Sequence, residues 1–228
     1  MDESKIIYSN DPKSLGAEAY KVLKKNIRLL SLDKEVKIIM VASAGAKEGR
    51  TTIASNLSSA MAEAGKKVIL IDCDERQPNV QELFNIQNEV GLSDILAGKE
   101  EFDENLYGIE GGKPYVLTSG SKLSNYEELL DSDGLKSFLE DLRQSFDYII
   151  IDTPPTTTAA DAQIIARYVD GCIYVVRAGK FDRVTIAKGQ KLLEAAGANI
   201  LGFVLNRFEE KKKFFSEFKL RRKKDPKV

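Results

Sequence analysis

The sequence predicts an α/β fold in which a doubly wound, mostly parallel β-sheet forms the middle of three layers. Short apolar runs recur along the chain, and helical patterns separate them. The runs are continuous rather than alternating, which is typical of strands buried on both faces of a parallel sheet. Alternating strands and helices then imply right-handed crossovers. The six predicted strands are residues 36–41, 68–71, 115–118, 148–151, 172–176 and 200–205.

Helical periodicity predicts the elements around these strands, because apolar residues recur three or four positions apart. The first predicted helix covers residues 17–30 and precedes the first strand. The second, over residues 53–64, is predicted to be amphipathic and to stop at Gly65. Residues 85–112 are glycine-rich and acidic, which indicates short helices and loops. Two further helices are predicted around Leu135, Phe138, Leu139 and Leu142, and around Ile186, Leu192, Leu193 and Ala196.

Composition bounds the kind of protein that this chain forms. Its 228 residues are 43% apolar and 30% charged, which fits one soluble α/β domain. No apolar run approaches the roughly 20 residues of a membrane span, and the polar N-terminus does not resemble a secretory signal. Histidine is absent, which excludes histidine-dependent triads and most catalytic zinc sites. Cys73 and Cys172 lack CxxC spacing, which favours reduced thiols in the cytosol.

Charge and pattern divide the chain into three predicted segments. Residues 1–35 form an N-terminal segment that contains the first helix, residues 36–208 form the core, and residues 209–228 form a basic tail. From Lys211 onward there are nine Lys or Arg against two Asp or Glu, a surplus of +7. Since the whole chain carries −1, the first 210 residues carry −8. The tail is therefore predicted to be electrostatically separate from the core.

The first motif has the pattern of a phosphate-binding loop between a strand and a helix. Its sequence, from residue 41 to 52, is Val-Ala-Ser-Ala-Gly-Ala-Lys-Glu-Gly-Arg-Thr-Thr. In such loops the backbone N–H groups and the helix N-terminus surround phosphate oxygens, and a lysine reaches the outer phosphates. Here Arg50 takes the position of the lysine, and Thr51 keeps the hydroxyl that would hold Mg²⁺. The predicted nucleotide-binding residues are Ala46, Lys47, Glu48, Gly49, Arg50, Thr51 and Thr52.

The second motif, residues 69–76, is an apolar strand that ends in two carboxylates and an arginine. Asp72 and Asp74 are two positions apart, so in an extended chain they point to the same side. One could hold Mg²⁺ through water while the other takes a proton from an incoming hydroxyl. The alternative is a strand-to-loop turn in which Asp74 caps the next helix. For this motif alone, the alternative is favoured.

The third motif, residues 148–155, is an apolar strand that ends in Asp152 and continues as Thr153, Pro154 and Pro155. An aspartate in this place is the usual second Mg²⁺ anchor of P-loop enzymes. The alternative is again a strand end with a turn. Each motif is weak alone, but their order and contexts together predict a nucleotide-binding site. The same three motifs resemble those of P-loop NTPases of the partition-ATPase-like type.

The three motifs together resemble the bacterial protein-tyrosine kinases, which are built on a P-loop ATPase fold, and the resemblance extends over nearly the whole chain. Glu18, Lys21 and Lys24 resemble the family's N-terminal oligomerisation helix, whose usual motif is Glu-x-x-Arg-x-x-Arg. Ser119-Gly120 with Glu127-Glu128-Leu129-Leu130 resembles the family's Gly-x-x-x-x-Asn-Pro-x-Glu-Leu-Leu segment, and residues 201–206 resemble a strand whose terminal Asn206 lies near the adenine.

The resemblance implies ATP-dependent phosphorylation of protein tyrosine in the control of capsule or exopolysaccharide assembly and export. It implies that Arg50, Asp72, Asp74 and Asp152 are the catalytic residues. Asp74, supported by Asp72, would orient or deprotonate the tyrosine hydroxyl. Thr51, Asp74 and Asp152 would bind Mg²⁺.

The resemblance also implies partners and a location. Such kinases pair with a membrane polysaccharide co-polymerase that activates them, and here the catalytic subunit would be a separate cytosolic chain at the inner face of the membrane. Homo-oligomers would form through Glu18, Lys21 and Lys24. Nucleic acid is not expected as a partner, because no recognition module accompanies the basic tail.

Two departures from the family pattern fall in the loop. This chain has Arg50 where the family has lysine, and this replacement is not conservative at a tight phosphate site. We therefore expect turnover to be reduced while nucleotide binding survives. The family usually has glycine at the position of Lys47. If this position needs a positive φ, lysine costs roughly 1–2 kcal/mol there. Alternatively, Lys47 swings in as a substitute cation for the phosphates.

Two further departures concern interactions outside the loop. The family carries a C-terminal tyrosine cluster, whereas the last tyrosine here is Tyr174 and the tail has Phe214, Phe215 and Phe218. A solvated basic end is the favoured interpretation, and an anchor to anionic membrane is the alternative. Lysines also replace the arginines of the oligomerisation motif, which weakens the expectation of a ring.

Two other functions are kept as alternatives. A degenerate family member would bind nucleotide or its membrane partner and regulate without phosphorylating. A partition-type ATPase would use hydrolysis to switch a dimer. The extra lysine of partition ATPases would align with Gly45, and its absence disfavours that alternative.

Overall fold

The central sheet of the computed structural model follows the predicted pattern. The structure describes residues 6, 11–32, 34–102, 107–108, 113–180 and 183–208. In this part of the chain the strands are β1 (Ile38–Ser43), β2 (Val68–Asp72), β3 (Tyr107–Gly108), β4 (Tyr115–Leu117), β5 (Tyr148–Asp152), β6 (Gly171–Arg177) and β7 (Ile200–Asn206). Their order across the sheet is β3-β4-β2-β5-β1-β6-β7. All six predicted strands are confirmed and run parallel, and the short β3, which the sequence did not predict, pairs antiparallel to β4.

The helices lie on both faces of this sheet. They are α1 (Leu15–Leu30), α2 (Arg50–Ala62), α3 (Val80–Phe84), α4 (Leu92–Leu96), α5 (Tyr126–Leu130), α6 (Asp133–Ser145), α7 (Asp161–Ile165) and α8 (Arg183–Ala195) among the described residues, with a 3₁₀ turn at Ala166–Tyr168. Ser14 begins α1, because its side chain accepts a hydrogen bond from the Ala17 N–H at 3.1 Å. None of these helices is long and apolar enough to cross a membrane.

Successive side chains of β1 point to opposite faces of the sheet and enter two separate apolar cores, which confirms the three layers. Ile39 and Val41 face the core that α1 and α2 cover, whereas Ile38 and Met40 face the core beneath α5, α6 and α8. All four side chains are fully buried. A strand buried on both faces reads as a continuous apolar run, which is why β1 showed no alternation in the sequence.

Helix α2 is buried on nearly all sides, so the prediction that it is amphipathic is wrong. The physical reason is that α1 covers the side of α2 that faces away from the sheet. Small residues let the two helices approach closely, and Ser58 and Ser59 donate their hydroxyl hydrogens to carbonyl groups four residues earlier at 2.8 and 2.9 Å. Lys24 of α1 donates to the Ala60 carbonyl near the C-terminus of α2 at 3.0 Å. Helix α1, which lies within the predicted N-terminal segment, therefore packs directly on the core.

Strand register brings the polar strand ends together at one edge of the sheet. Asp152, the last residue of β5, lies opposite Asp72 of β2 on one side and Val41 of β1 on the other. Arg177 at the end of β6 lies opposite Asn206 at the end of β7. In a doubly wound sheet, ligands bind at this carboxyl edge.

Replacing Leu57 by alanine tests the double-sided burial of α2. Leu57 is 0% exposed, and the truncation removes contacts with the sheet and with α1. We expect a loss of about 2–5 kcal/mol in the free energy of unfolding, measured by urea denaturation. The same change at Leu15, which is 91% exposed, serves as the control and should cost less than about 0.5 kcal/mol. Equal effects of the two substitutions would contradict the described packing.

Candidate nucleotide and phosphoryl-transfer site

The loop between β1 and α2 depends on glycine at position 49. Gly49 has a φ of 99° and begins α2. A Cβ atom there would lie 2.0 Å from Nδ2 of Asn206, so both the backbone and the space demand glycine. Lys47 has a φ of 58°, which confirms the condition on which the predicted strain depends.

Two of the predicted nucleotide-binding residues use their side chains to hold the loop together. The carboxylate of the fully buried Glu48 accepts hydrogen bonds from the Gly45 N–H at 2.6 Å and from the Arg177 N–H at 3.2 Å. Asn206 donates from Nδ2 to the Glu48 carbonyl at 2.8 Å. These bonds tie the loop to the ends of β6 and β7, so both side chains contact protein groups.

Arg50 is enclosed by protein acceptors and is only 7% exposed. Its Nε donates to the Thr153 carbonyl at 2.6 Å, and its Nη1 donates to Ser43 Oγ at 2.6 Å and to the Gly45 carbonyl at 2.8 Å. Its Nη2 lies 3.7 Å from a carboxylate oxygen of Asp74. The guanidinium thus connects the loop, the end of β5 and the predicted catalytic base.

Asp152 and Thr51 lie together beneath the loop, as expected for a Mg²⁺ site. The Thr51 side chain is hydrogen-bonded to Asp152, and Oδ1 of Asp152 is buried with no hydrogen-bond partner among the described residues. Burial and the negative charge of Asp72 raise the pKa of Asp152 to about 8, although Arg50 opposes the shift. A buried acceptor without a donor fits a cation with oxygen ligands.

The two carboxylates of the second motif do different things. Asp72 is fully buried and accepts hydrogen bonds from the N–H groups of Asp74, Asn79 and Val80 at 2.9, 3.2 and 3.1 Å. Burial raises its pKa to about 6 despite these bonds. It therefore caps α3, a role that the alternative interpretation had given to Asp74. That detail of the alternative is wrong, because the first N–H group of α3, that of Val80, donates to Asp72, whereas Asp74 accepts from the Gln77 N–H.

Asp74 lies at the cleft, next to the loop. Its Oδ1 accepts from the Gln77 N–H at 3.0 Å, and its Oδ2 faces Arg50. Burial raises the pKa of Asp74, and the charge of Arg50 counteracts the shift. A raised pKa makes a carboxylate a stronger base. The prediction that Asp72 and Asp74 act side by side stays a prediction, but the structure turns only Asp74 towards the cleft.

Sequence reasoning missed several residues around this site. Asp161 at the start of α7 is fully buried and lies 3.3 Å from Nη2 of Arg76, which also approaches Glu127 at 3.9 Å. No local sequence pattern marks Asp161. Arg177 and Arg207 could have been found, because both lie at the carboxyl ends of strands.

A cleft of about 420 Å³ lies above the loop. One wall is the loop and the start of α2, and the opposite wall comes from the segment that follows β2. The lining residues are Ala46, Lys47, Gly49, Arg50, Thr51, Thr52, Asp74, Gln77, Asn79, Glu82, Leu83, Arg177 and Arg207.

Fold and site together define a P-loop nucleotide-binding protein. A family model described as an AAA domain matches residues 36–180. The tyrosine-protein kinase YwqD of Bacillus subtilis is 36% identical over 201 residues, which cover 88% of this chain and 85% of YwqD. This chain belongs to the family of bacterial tyrosine-protein kinases.

Comparison with solved structures leads to the same family. The crystal structure of the chimerical protein CapA2B2 superposes with a TM-score of 0.86 at 34% identity, over 91% of each chain. The septum site-determining protein MinD of Pyrococcus horikoshii, complexed with Mg-ADP, is more distant, with a TM-score of 0.65 at 27% identity over 78% of this chain and 72% of MinD. The predicted family and fold class are confirmed.

The buried carboxyl groups predict an unusual dependence of stability on pH. In the folded protein Asp152 keeps its proton up to about pH 8, whereas the ordinary value for the unfolded chain is 3.8. Between these values the folded state binds more protons, so the free energy of unfolding falls as the pH rises, by at most about 1.4 kcal/mol per pH unit for one proton. We expect this fall between pH 5 and pH 8 in urea denaturation with EDTA.

An Asp152→Asn substitution should flatten that dependence, because it removes the titrating charge and keeps the shape of the side chain. The exposed Asp141, changed to asparagine, provides the matched control and should leave the slope unchanged. Parallel pH curves for the parent and Asp152→Asn would show that Asp152 does not titrate in this range.

Proposed function

We propose that this chain is an ATP-dependent protein-tyrosine kinase that regulates the synthesis and export of capsular or exopolysaccharide. The observation that carries the proposal is the placement of Thr51, Asp152 and Asp74 around one end of the loop, at the carboxyl edge of the sheet. The names and similarity of the kinase relatives support the same reaction.

Magnesium fits the residues of this site. Thr51 and Asp152 would hold the ion with phosphate oxygens and water, since Mg²⁺ is usually bound by one or two carboxylates together with substrate phosphates. Bound Mg²⁺ would neutralise charge on the phosphates. The orphaned Oδ1 of Asp152 supports this assignment from the protein's side, and the Mg-ADP bound to MinD supports it from a related fold.

The remaining groups suit transfer to a hydroxyl. In the proposed reaction the tyrosine oxygen attacks the γ-phosphorus of ATP, ADP leaves, and the hydroxyl proton passes to Asp74. Asp74 is suited to that role because burial raises its pKa and the residue lines the cleft. Asp72 supports it indirectly by fixing the segment that carries it, through the Asp74 N–H bond. Phosphoryl transfer depends mainly on such positioning and on electrostatic stabilisation.

Arg50 is expected to lower the rate of this reaction. Its guanidinium is held by Thr153, Ser43 and Gly45, so it is directed at protein rather than at an outer phosphate. Its proximity to Asp74 also stabilises the charged form of the base, which makes the base weaker. The same contacts favour the second candidate, a regulator that binds nucleotide without transferring phosphate.

Assembly and location follow the family pattern in this proposal. We infer a membrane-bound activator and a location at the inner face of the cell membrane. Oligomerisation would use the outer face of α1, where Leu15, Val22 and Leu29 recur every seven residues and are exposed. Within the predicted motif, Lys21 and Glu18 pair with each other at 2.6 Å, and Lys24 bonds to α2. The basic tail, residues 209–228, lies outside the described residues.

A phosphotransfer assay tests the proposal. The protein is incubated with labelled ATP, Mg²⁺ and tyrosine peptides, with phenylalanine peptides of otherwise equal sequence as controls. We expect label on the tyrosine peptides alone. Asp152→Ala should slow transfer by roughly 100-fold because it removes the anchor for Mg²⁺. Arg50→Lys should speed it about tenfold, because a flexible point charge then reaches the phosphates.

The possible results separate the candidate functions. Transfer by the Arg50→Lys variant alone would establish the regulator in place of the kinase. Release of inorganic phosphate without labelled peptide would point to a partition-type ATPase. Full activity of Asp152→Ala would remove the basis of the proposed site.

A further inference from the structure

Two cations at the cleft have a backbone conformation that ordinarily favours glycine. In the described part of the chain, the non-glycine residues with positive φ are Lys47 (58°), Asn85 (55°) and Arg207 (54°). Asparagine tolerates this region, whereas lysine and arginine are strained in it. Such strain persists where the surrounding structure imposes it, and it clusters at ligand sites. Both strained cations line the same cleft, and Asn85 does not.

The backbones of these two residues are held by hydrogen bonds, and both residues line the cleft. The Lys47 carbonyl accepts from Nη1 of Arg177 at 3.2 Å, and the Arg207 N–H donates to Oδ1 of Asn206 at 2.9 Å. Both residues are exposed, and among the described residues neither charged group is bonded to a protein acceptor. They are therefore positioned to meet an anion.

The charged group of Arg50, in contrast to those of Lys47 and Arg207, is bonded to protein acceptors within the described part of the chain. Three of its donors are bonded to Thr153, Ser43 and Gly45 at 2.6–2.8 Å, and a fourth group faces Asp74. To reach a phosphate, it would have to leave acceptors that are buried, and buried acceptors are costly to leave unsatisfied.

We propose that Lys47 and Arg207 provide the positive charge that binds the nucleotide phosphates, in place of Arg50, which holds the loop in shape. The proposal rests on the proposed function, because its ligand is the nucleotide of that site. Lysine supplies a compact charge and arginine a planar fork, and both suit phosphate oxygens. The loop N–H groups and the start of α2 would add their usual contribution.

Glycine substitutions at positions 47 and 207 distinguish the effect of these residues on phosphate binding from the effect of their backbone strain on stability. Lys47→Gly and Arg207→Gly remove the charge and also relieve the backbone, so each should raise the melting temperature of the nucleotide-free protein, by up to a few degrees. Each should nevertheless weaken the binding of ADP with Mg²⁺ about tenfold and leave the binding of adenosine, which lacks phosphate, within twofold. Asn85→Gly is the matched control and should not change ADP binding.

A second variant adds a rescue. In the Lys47→Gly background, Arg50→Lys returns a mobile ammonium to the loop. The double variant should bind ADP at least about fivefold more tightly than Lys47→Gly alone. Calorimetric titration measures all of these affinities on the full chain.

The outcomes distinguish this proposal from the proposed function. Unchanged ADP affinity in both glycine variants, or an equal loss of adenosine affinity, would overturn the proposal. The kinase assignment would still stand in that case if the parent protein transferred phosphate to tyrosine. A folded parent protein that binds no ADP would overturn both.

Discussion

The charge balance at the carboxyl ends of β2 and β5 is the constraint on which the rest of the site depends. Parallel register places Asp72 opposite Asp152, so the sheet cannot form without bringing these carboxyl groups together. Burial and the charge of Asp72 raise the pKa of Asp152 to about 8, and burial and the charge of Asp74 raise the pKa of Asp72 to about 6. Asp74 adds a third carboxyl group and faces Arg50, whose positive charge also acts on Asp152. In the proposed site, a Mg²⁺ ion beside Thr51 would add positive charge next to these carboxyl groups and favour their ionised forms.

Residues around this centre divide into those that hold the loop and those that face the cleft. The side chains of Glu48, Asn206 and Asp72 form hydrogen bonds with backbone groups of the loop and of α3. Thr51 and Asp74 line the cleft instead. Both sets contain an acidic and an uncharged polar residue, so residue type does not separate them. Rigid support of this kind matters because a small misplacement of reacting groups costs rate directly.

Much of the fold could be predicted because its signals are local. Each buried parallel strand is a short apolar run, and the loop, Asp72 and Asp152 directly follow or end such runs. What could not be predicted depends on contacts between distant segments. Burial of the outer side of α2 requires α1 to lie on it, and the division of labour between Asp72 and Asp74 depends on where α3 begins. Asp161 reaches Arg76 from 85 positions away in the chain, so no spacing rule could have paired them.

Strain and charge at the loop have a common explanation. Lys47 has a φ of 58°, which makes the fold less stable than glycine at that position would. The side chain of Lys47 is exposed, so its packing does not offset this loss of stability. The arginine inside the loop satisfies Ser43, Gly45 and Thr153, a set of acceptors that one lysine could not reach in the same planar arrangement. Once the inner cation is committed to protein acceptors, the phosphates need another source of positive charge. In the proposed arrangement, the strained residues Lys47 and Arg207 at the rim of the cleft supply that charge. The exchanges at positions 47 and 50 would then be parts of one rearrangement of charge around the nucleotide.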